Sequence, residues 1–414
     1  MDNFRGVYMK LIRVGSKQFQ KLCDRNSGRN KRVTESVRKI IENVKLYGDD
    51  AVIKYTRKFD KVKLTQKELR VSECETSGAY QDIKPEFISA LKVVIDNVTK
   101  FYKKHLKKSW NIKDTNGVLL GEKVMPLEKV GVYVPSGTVP LVSSVYMTVI
   151  PAKMAGVKKV VLVTPPNKYK SIDPYILVVA NLLKVDEIYK VGGAQAIASL
   201  AFGTKTIPRV DKIVGPGNAY VTEAKRQVFG FCDIDMLAGP TEVVIIANQS
   251  SNINYIKADL EAQGEHFMGL SILITNSKRI VKTLKKEDFK GYIILVKNMD
   301  EAADVANKLS AEHLQILTKD PKKIAKRIVN AGAIFLGPYT PVAVGDYVAG
   351  PSHVLPTGGS ARFFSGLGMQ DFYKCSHILS YTKSALEEIR GPLEKIAEIE
   401  GLKKHLDSVK VRFE

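Results

Sequence analysis

Residues 258 to 266, Ala-Asp-Leu-Glu-Ala-Gln-Gly-Glu-His, put Gln263 three positions before His266 at what reads as the end of a helix opened by Ser251. On a helix that spacing sends both side chains off one face, where an amide oxygen and an imidazole can grip one metal ion. Glu261 and Glu265 surround the pair with negative charge. A polar helix end with one satisfied histidine has the same spacing, so the pair needs company. The chain has only six histidines, and His313, His353 and His405 also sit in polar, Gly- or Glu-rich settings. Ser310-Ala311-Glu312-His313 leads into an apolar run at Leu314, so a carboxylate and an imidazole leave one strand end and can serve two proton transfers on one substrate. The plainer reading is a polar strand edge. Residues 345 to 359, Gly-Asp-Tyr-Val-Ala-Gly-Pro-Ser-His-Val-Leu-Pro-Thr-Gly-Gly, hold too much Gly and Pro for a helix or a central strand. A loop of that length in a compact domain is usually functional. Its Asp346 offers a hard oxygen ligand.

Two further stretches suit a phosphate. Gly192-Gly193-Ala194-Gln195 and Gly215-Pro216-Gly217-Asn218 each put small residues between a strand and a helix, where backbone N–H groups can meet an anion. Neither is the G-x-G-x-x-G fingerprint, no P-loop occurs in the chain, and each stretch alone could be only a turn.

The elements that must position these groups are legible in the apolar pattern. From Val130 onward, short β-rich runs alternate with helical patterns: Lys159 to Thr164, Glu187 to Val191, Val210 to Val214 and Val243 to Ala247, then Leu270 to Thr275, Tyr292 to Val296, Leu314 to Thr318 and Ala333 to Leu336. Such alternation predicts βαβ units, here two doubly wound α/β lobes, each binding ligands at the carboxyl ends of its strands. Before them, helical stripes run from Thr34 (Val37, Ile40, Ile41, Val44) to Gly48 and from Pro85 through Ile88, Leu91, Val94, Ile95 and Val98. Residues up to about 30 read as a basic arm or short helix. The last forty or so, periodic in Leu386, Ile389, Leu393, Ile396 and Ile399, read as a helical tail containing His405.

Composition narrows the class. The 414 residues, 44% hydrophobic and 26% charged, suffice for two or three domains with real cores. A net charge of +21 would suit a nucleic-acid binder, but the basic residues are scattered, with no arginine-rich arm and no interleaved aromatics, so no nucleic-acid partner is expected. Cys23, Cys74, Cys232 and Cys375 lie far apart with no C-x-x-C, as in a reducing cytoplasm. The longest apolar region, Val139 to Val163, is broken by Lys153, Lys158 and Lys159, so no membrane span is expected.

Val-Gly-Val-Tyr-Val-Pro (130 to 135), Gly-Gly-Ala-Gln-Ala-Ile-Ala (192 to 198), Val-Gly-Pro-Gly-Asn (214 to 218), Ala-Gly-Pro-Thr-Glu (238 to 242), Gln-Gly-Glu-His (263 to 266), Ser-Ala-Glu-His-Leu (310 to 314), the 345 to 359 loop and Glu-Gly-Leu-x-x-His (400 to 405) together resemble the histidinol dehydrogenase family. The likeness runs in order from about residue 30 to the end. It implies a homodimeric enzyme that uses Zn2+ and NAD to oxidise L-histidinol twice, through a bound aldehyde, to L-histidine. It further implies zinc ligation by Gln263, His266, Asp346 and His405, proton transfer by Glu312 and His313, and NAD contacts from Tyr133, Gln195 and Asn218. Substrate contacts fall on Thr241, Gln263, His266, His313, Asp346, Glu400 and His405, with the C-terminal tail reaching into the partner's site. Thr241 stands where serine is usual, Gly264 where alanine is, and Ser352 where asparagine is.

With the resemblance, the expected division is an arm over 1–29, a metal lobe over 30–125 and 241–370, an NAD lobe of incomplete Rossmann type over 126–240, and a tail over 371–414. The chemistry is coherent on residue types: Gln, His and Asp ligands leave a metal room for added ligands, unlike a closed Cys site. Histidinol's imidazole and amine would chelate such an ion, with His313 as base for the alcohol and Glu312 as base for the water that hydrates the aldehyde. A zinc hydrolase would leave the two nucleotide-type turns unused, and a basic structural protein would leave every polar motif idle.

Overall fold

The computed structural model describes residues 9–25, 30–136, 139–266, 268–287 and 290–414; the expected arm lies outside the described residues at 1–8 and 26–29. The strands are β1 (Lys10–Ile12), β2 (Trp110–Lys113), β3 (Leu119–Pro126), β4 (Lys129–Tyr133), β5 (Lys159–Thr164), β6 (Glu187–Lys190) and β7 (Lys212–Val214). They continue as β8 (Asp233–Ile234), β9 (Glu242–Ala247), β10 (Leu270–Thr275), β11 (Tyr292–Leu295), β12 (His313–Ile316), β13 (Ala333–Leu336) and β14 (Tyr373–Ser380). The chain divides into two units, one running to His105 and resuming over Leu127–Phe372, the other joining Leu106–Pro126 to Tyr373–Glu414.

The first unit holds the two expected doubly wound lobes. One sheet has the order β6-β5-β4-β7-β8 and the other β1-β11-β10-β9-β12-β13, with every neighbour parallel. Strands such as β5 (KVVLVT) and β9 (EVVIIA) are apolar without alternation because helices cover both of their faces. In the first lobe β4 is central, with β5 and β6 on one side and β7 and β8 on the other; in the second β9 is central, with β10 and β11 on one side, β12 and β13 on the other, and β1 added at the edge beside β11. The order reverses between β4 and β7, and again between β9 and β12.

Three expectations about the division need correction. Helices Lys31–Tyr47 and Asp49–Phe59, assigned to the metal lobe, pack instead on the first sheet's layer, their Val37, Ile40, Val44 and Val52 sharing one core with Ile197, Leu200 and Ile213. The apolar stripe was visible, but nothing local says which sheet it covers. The N-terminal arm is not only helical: β1 extends the second sheet, Lys10 to Ile12 in register with Tyr292 to Ile294, before helix Lys17–Cys23. The tail likewise begins as a strand.

In the second unit, β14 pairs antiparallel with β3, which pairs with β2. Helices Lys383–Ile399 and Lys403–Lys410 complete it. Ile389, Ile396 and Ile399, seven and three residues apart on one stripe of the long helix, stay exposed, as do Trp110, Ile112 and Leu379. Among the described residues no helix is long and apolar enough to cross a membrane, and all four cysteines are free thiols.

Candidate active site

Thr241 and Glu242 at the start of β9, and Glu312 and His313 at the start of β12, become neighbours because the two strands run parallel with His313 level with Val243. One Glu312 oxygen accepts the Thr241 hydroxyl at 2.6 Å and the Glu242 N–H at 2.8 Å. The Glu312 N–H donates to the Glu242 carboxylate at 3.2 Å. His313 Nδ1 lies 3.1 Å from the Glu242 carbonyl, which can only accept, so Nδ1 carries a proton and Nε2 is the nitrogen left for a substrate. Nε2 is buried, 3.4 Å from an Asp346 oxygen but out of line for a hydrogen bond to it. Burial pushes the Glu312 carboxyl up to about 7, against the opposing pull of His313 and the Thr241 hydroxyl. Burial acts the other way on His313, yet the Glu312 and Asp346 carboxylates outweigh it and hold the imidazole up at about 9. The imidazole is therefore a strengthened base beside a weakened acid.

This pair lies at the amino edge of the second sheet, not at the carboxyl edge that the winding predicts. Helices run antiparallel to the strands they follow, so helix Ile253–Gly264 and helix Val342–Tyr347 bring Gln263 and Asp346 back to that same edge. His266 falls outside the helix, whose end at Gly264 spoils the simple same-face argument; a turn with His266 N–H on the Gln263 carbonyl at 3.3 Å keeps the two close. Gly269 is needed here, since a Cβ would stand 2.3 Å from the Gln263 carbonyl oxygen. Gln263 is buried and its amide nitrogen has no partner. The charges of His266, His313 and Asp346 all act on His353, which places the four in one neighbourhood. Among the described residues no three His, Cys, Asp or Glu side chains already converge as a metal cluster. The residue types nonetheless fit an ion: no partner fixes the Gln263 amide nitrogen, so the group can offer its oxygen as a ligand together with an imidazole and a carboxylate. His405 and Glu400 are exposed residues of the second unit, on helix Lys403–Lys410 and capping helix Lys383–Ile399.

The nucleotide-type turns sit at the carboxyl edge of the first sheet. Tyr133 ends β4, and its hydroxyl accepts the Gly193 N–H at 3.1 Å. Gly215, at φ +114°, passes so close that a Cβ would lie 2.1 Å from the Tyr133 carbonyl oxygen. Buried Lys225 donates to the Gly215 carbonyl at 3.0 Å and pairs with Asp235, which accepts the Gly215 N–H at 2.7 Å. Asn218 caps helix Ala219–Val228, its oxygen taking the Tyr220 and Val221 N–H groups, so only its amide nitrogen is left for a ligand. Gln195 is buried with both amide atoms unpaired; Thr164 at the end of β5 and Asp60 likewise have buried oxygens without partners. Unpaired donors and acceptors around two close-approach glycines fit a polar ligand such as a dinucleotide.

The two edges face each other. Ser144, in the first turn of helix Val142–Met154 after β4, lies 3.5 Å from His353 Nε2, and Tyr146 donates to the Tyr347 carbonyl at 3.0 Å. Beside His313 opens a cavity of about 480 Å³ lined by Tyr102, His313, Phe335, Asp346 and His353. Helix Pro85–Tyr102 braces its loop: Asn97 donates to the Val348 carbonyl, and the Tyr102 hydroxyl bridges Ser352 N–H and the Leu367 carbonyl. Sequence reasoning left three participants without a role. His353 was noticed but not used, although its place in the Gly-rich loop was a signal. Asp60 follows a helix without any flag. Glu242 is clamped by Arg25, 217 residues away, at 2.6 and 2.5 Å, a partnership no local pattern announces.

Residues 23–413 match the family model described as histidinol dehydrogenase. A histidinol dehydrogenase of Clostridium acetobutylicum is 46% identical over 419 residues, covering 96% of each chain. One from Caldanaerobacter subterraneus is 45% identical, covering 95% of this chain and 96% of its own. The crystal structure of histidinol dehydrogenase from Elizabethkingia anophelis superposes with a TM-score of 0.91 at 34% identity, over 99% of both chains. With two doubly wound lobes, a buried Glu-His pair and relatives alike over nearly their whole length, this chain belongs to the histidinol dehydrogenase family.

Proposed function

We propose that the chain oxidises L-histidinol with NAD in two hydride transfers, through the aldehyde, to L-histidine, the last step of histidine biosynthesis. The observation that carries this reading is the buried Glu312–His313 pair, with the loop beside it hydrogen-bonded to the helix that follows β4, the strand at whose carboxyl end the nucleotide-type turns sit. NAD supplies the hydride acceptor, held by Tyr133, Gln195 and Asn218. A zinc ion held by Gln263, His266, Asp346 and the partner's equivalent of His405 supplies a charge that fixes the substrate's imidazole and amine.

In the first oxidation the neutral form of His313, which gains population as the pH rises toward about 9, takes the alcohol proton at Nε2 as hydride leaves the carbinol carbon. Its Nδ1–H stays on the Glu242 carbonyl, which keeps the ring oriented. In the second, Glu312 takes a proton from the water that adds to the aldehyde carbon, and the resulting hydrate gives up the second hydride. The Thr241 hydroxyl and Glu242 N–H hold the Glu312 oxygen toward this task. The site is shared in a homodimer: the exposed Ile389, Ile396 and Ile399 stripe of the second unit supports docking of the tail on another copy. Free, separated thiols support a cytoplasmic setting.

The test is direct. Adding histidinol and NAD to purified protein should raise the NADH absorbance by two equivalents per histidinol consumed. No histidinol-dependent NADH from folded, zinc-supplied protein would reject the reading.

A further inference from the structure

We infer that Arg25 is a positioning residue for the proton-transfer pair: its guanidinium neutralises buried Glu242, so that Glu312 shares its pocket with a compensated neighbour instead of a bare negative charge. The inference rests on Glu312 acting as a base, the role proposed above.

Arg25 follows helix Lys17–Cys23 and is itself largely buried, its side chain 12% exposed against 3% for Glu242. All three of its nitrogens are engaged. Nε and Nη2 hold the two Glu242 oxygens at 2.6 and 2.5 Å, Nη1 donates to the Leu22 carbonyl at 2.7 Å, and Nη2 also reaches the Leu309 carbonyl at 2.7 Å. Leu309 ends helix Met299–Leu309, and Ser310 after it turns left-handed at φ +47° to release the chain into Glu312 and His313. Arg25 therefore grips both sides of the pair: the carboxylate that faces the Glu312 N–H, and the helix end that delivers Glu312.

The electrostatics follow from proximity. Glu242 and Glu312 are both buried, and the charge of one disfavours the charge of the other. The groups facing Glu312 are the Thr241 hydroxyl, Glu242 and His313, with Asp346 beyond His313. Lys308 and Arg362 act on Cys23, in Arg25's own segment. Among the described residues Arg25 is the cation bonded directly to Glu242. Removing one partner of such a buried pair leaves an uncompensated charge, whereas removing both need not.

The experiment compares Arg25→Gln, Arg25→Lys and the double variant Arg25→Gln/Glu242→Gln in the full-length enzyme. Activity from the aldehyde and melting temperature are measured from about pH 5 to pH 10. Glu312 without the counter-ion ionises later, so Arg25→Gln should lose about fivefold or more in kcat near pH 7 with KM for the substrate within about twofold, the acid limb moving up by about one pH unit or more. Stability gives a reading independent of activity. A carboxyl raised in the folded state destabilises above its unfolded value, so the melting deficit of Arg25→Gln should be small near pH 5 and grow toward pH 8. The double variant should recover activity and close that deficit, and Arg25→Lys should fall between. A loss equal at all pH values and left unchanged by Glu242→Gln would reduce Arg25 to a structural brace and overturn the inference. If Arg25→Gln does not fold while the double variant does, the compensated charge is supported; if neither folds, it is rejected. An inactive wild type would instead reject the proposed function, while the melting profiles would still judge Arg25.

Discussion

Replacing Thr241 by Val should move the pH dependence of aldehyde oxidation more than it moves the fold. The side chains match in shape, so the change removes one hydroxyl that donates at 2.6 Å to a buried Glu312 oxygen. A hydrogen bond to a charged acceptor contributes about 1.5–3 kcal/mol, equivalent to roughly one to two pH units of added resistance to ionisation. Glu312 already stands at about 7, so it is about half ionised at pH 7. In the variant that fraction falls to between about 7% and about 0.6%, a loss of roughly 7- to 80-fold, given the hydrogen-bond value above. The sign matters: ionised Glu312 is the active base, so activity should return as pH rises toward 10. Single-turnover NADH formation from the aldehyde, followed over pH 6–10, measures it, with Thr241→Ser as the control that keeps the hydroxyl. A deficit independent of pH, or a Ser variant as impaired as Val, would refute the reasoning.

Other outcomes follow from the same geometry. Glu312→Gln should harm oxidation of the aldehyde more than that of the alcohol, while His313→Ala impairs both; equal losses in both halves for Glu312→Gln would count against the division of labour. Purified protein should carry about one divalent metal ion per chain, reduced by Gln263→Leu, with activity lost on chelation and restored by zinc; full turnover by metal-free protein would remove the ion from the scheme. Inactive His313→Ala and His405→Ala chains, unfolded together and refolded, should recover roughly a quarter of wild-type activity if each site joins two subunits. A mixture that stays inactive while wild type refolds in parallel would reject the shared site.

The parts visible in the sequence were those that burial writes into composition. Val160 to Val163 and Val243 to Ala247 are apolar throughout because both sheet faces are covered, and so the two lobes could be read off. Strands β2 and β14 face solvent along most of their length; β2 alternates over only four residues and β14 loses its alternation after Ser376, so neither could be. Gln263, Glu312, His313 and Asp346 were recognisable as chemistry-bearing residues. Which edge of the sheet they occupy was not, because that depends on where returning helices end. The Arg25–Glu242 clamp and the Ser144–His353 contact join segments more than 200 residues apart, and only the assembled lobes bring them together.

The first strand of the chain is among the last to find its place. β1 pairs only with β11, so Lys10 must wait for Tyr292, about 280 residues of synthesis, or on the order of 15 to 55 s at ordinary ribosome speeds. Throughout that interval the first lobe can finish folding while the nascent chain trails an unpaired apolar segment at its leading end. The segment that bears Arg25 is attached to this strand by a single short helix. Completion of the proton-transfer site is thereby coupled to closure of the sheet edge, and a chain released before Tyr292 is made would leave β1 and the outer edge of β10 as open templates for another chain's strand. The growing enzyme is thus most in need of a chaperone late in its synthesis, when most of its mass is already folded.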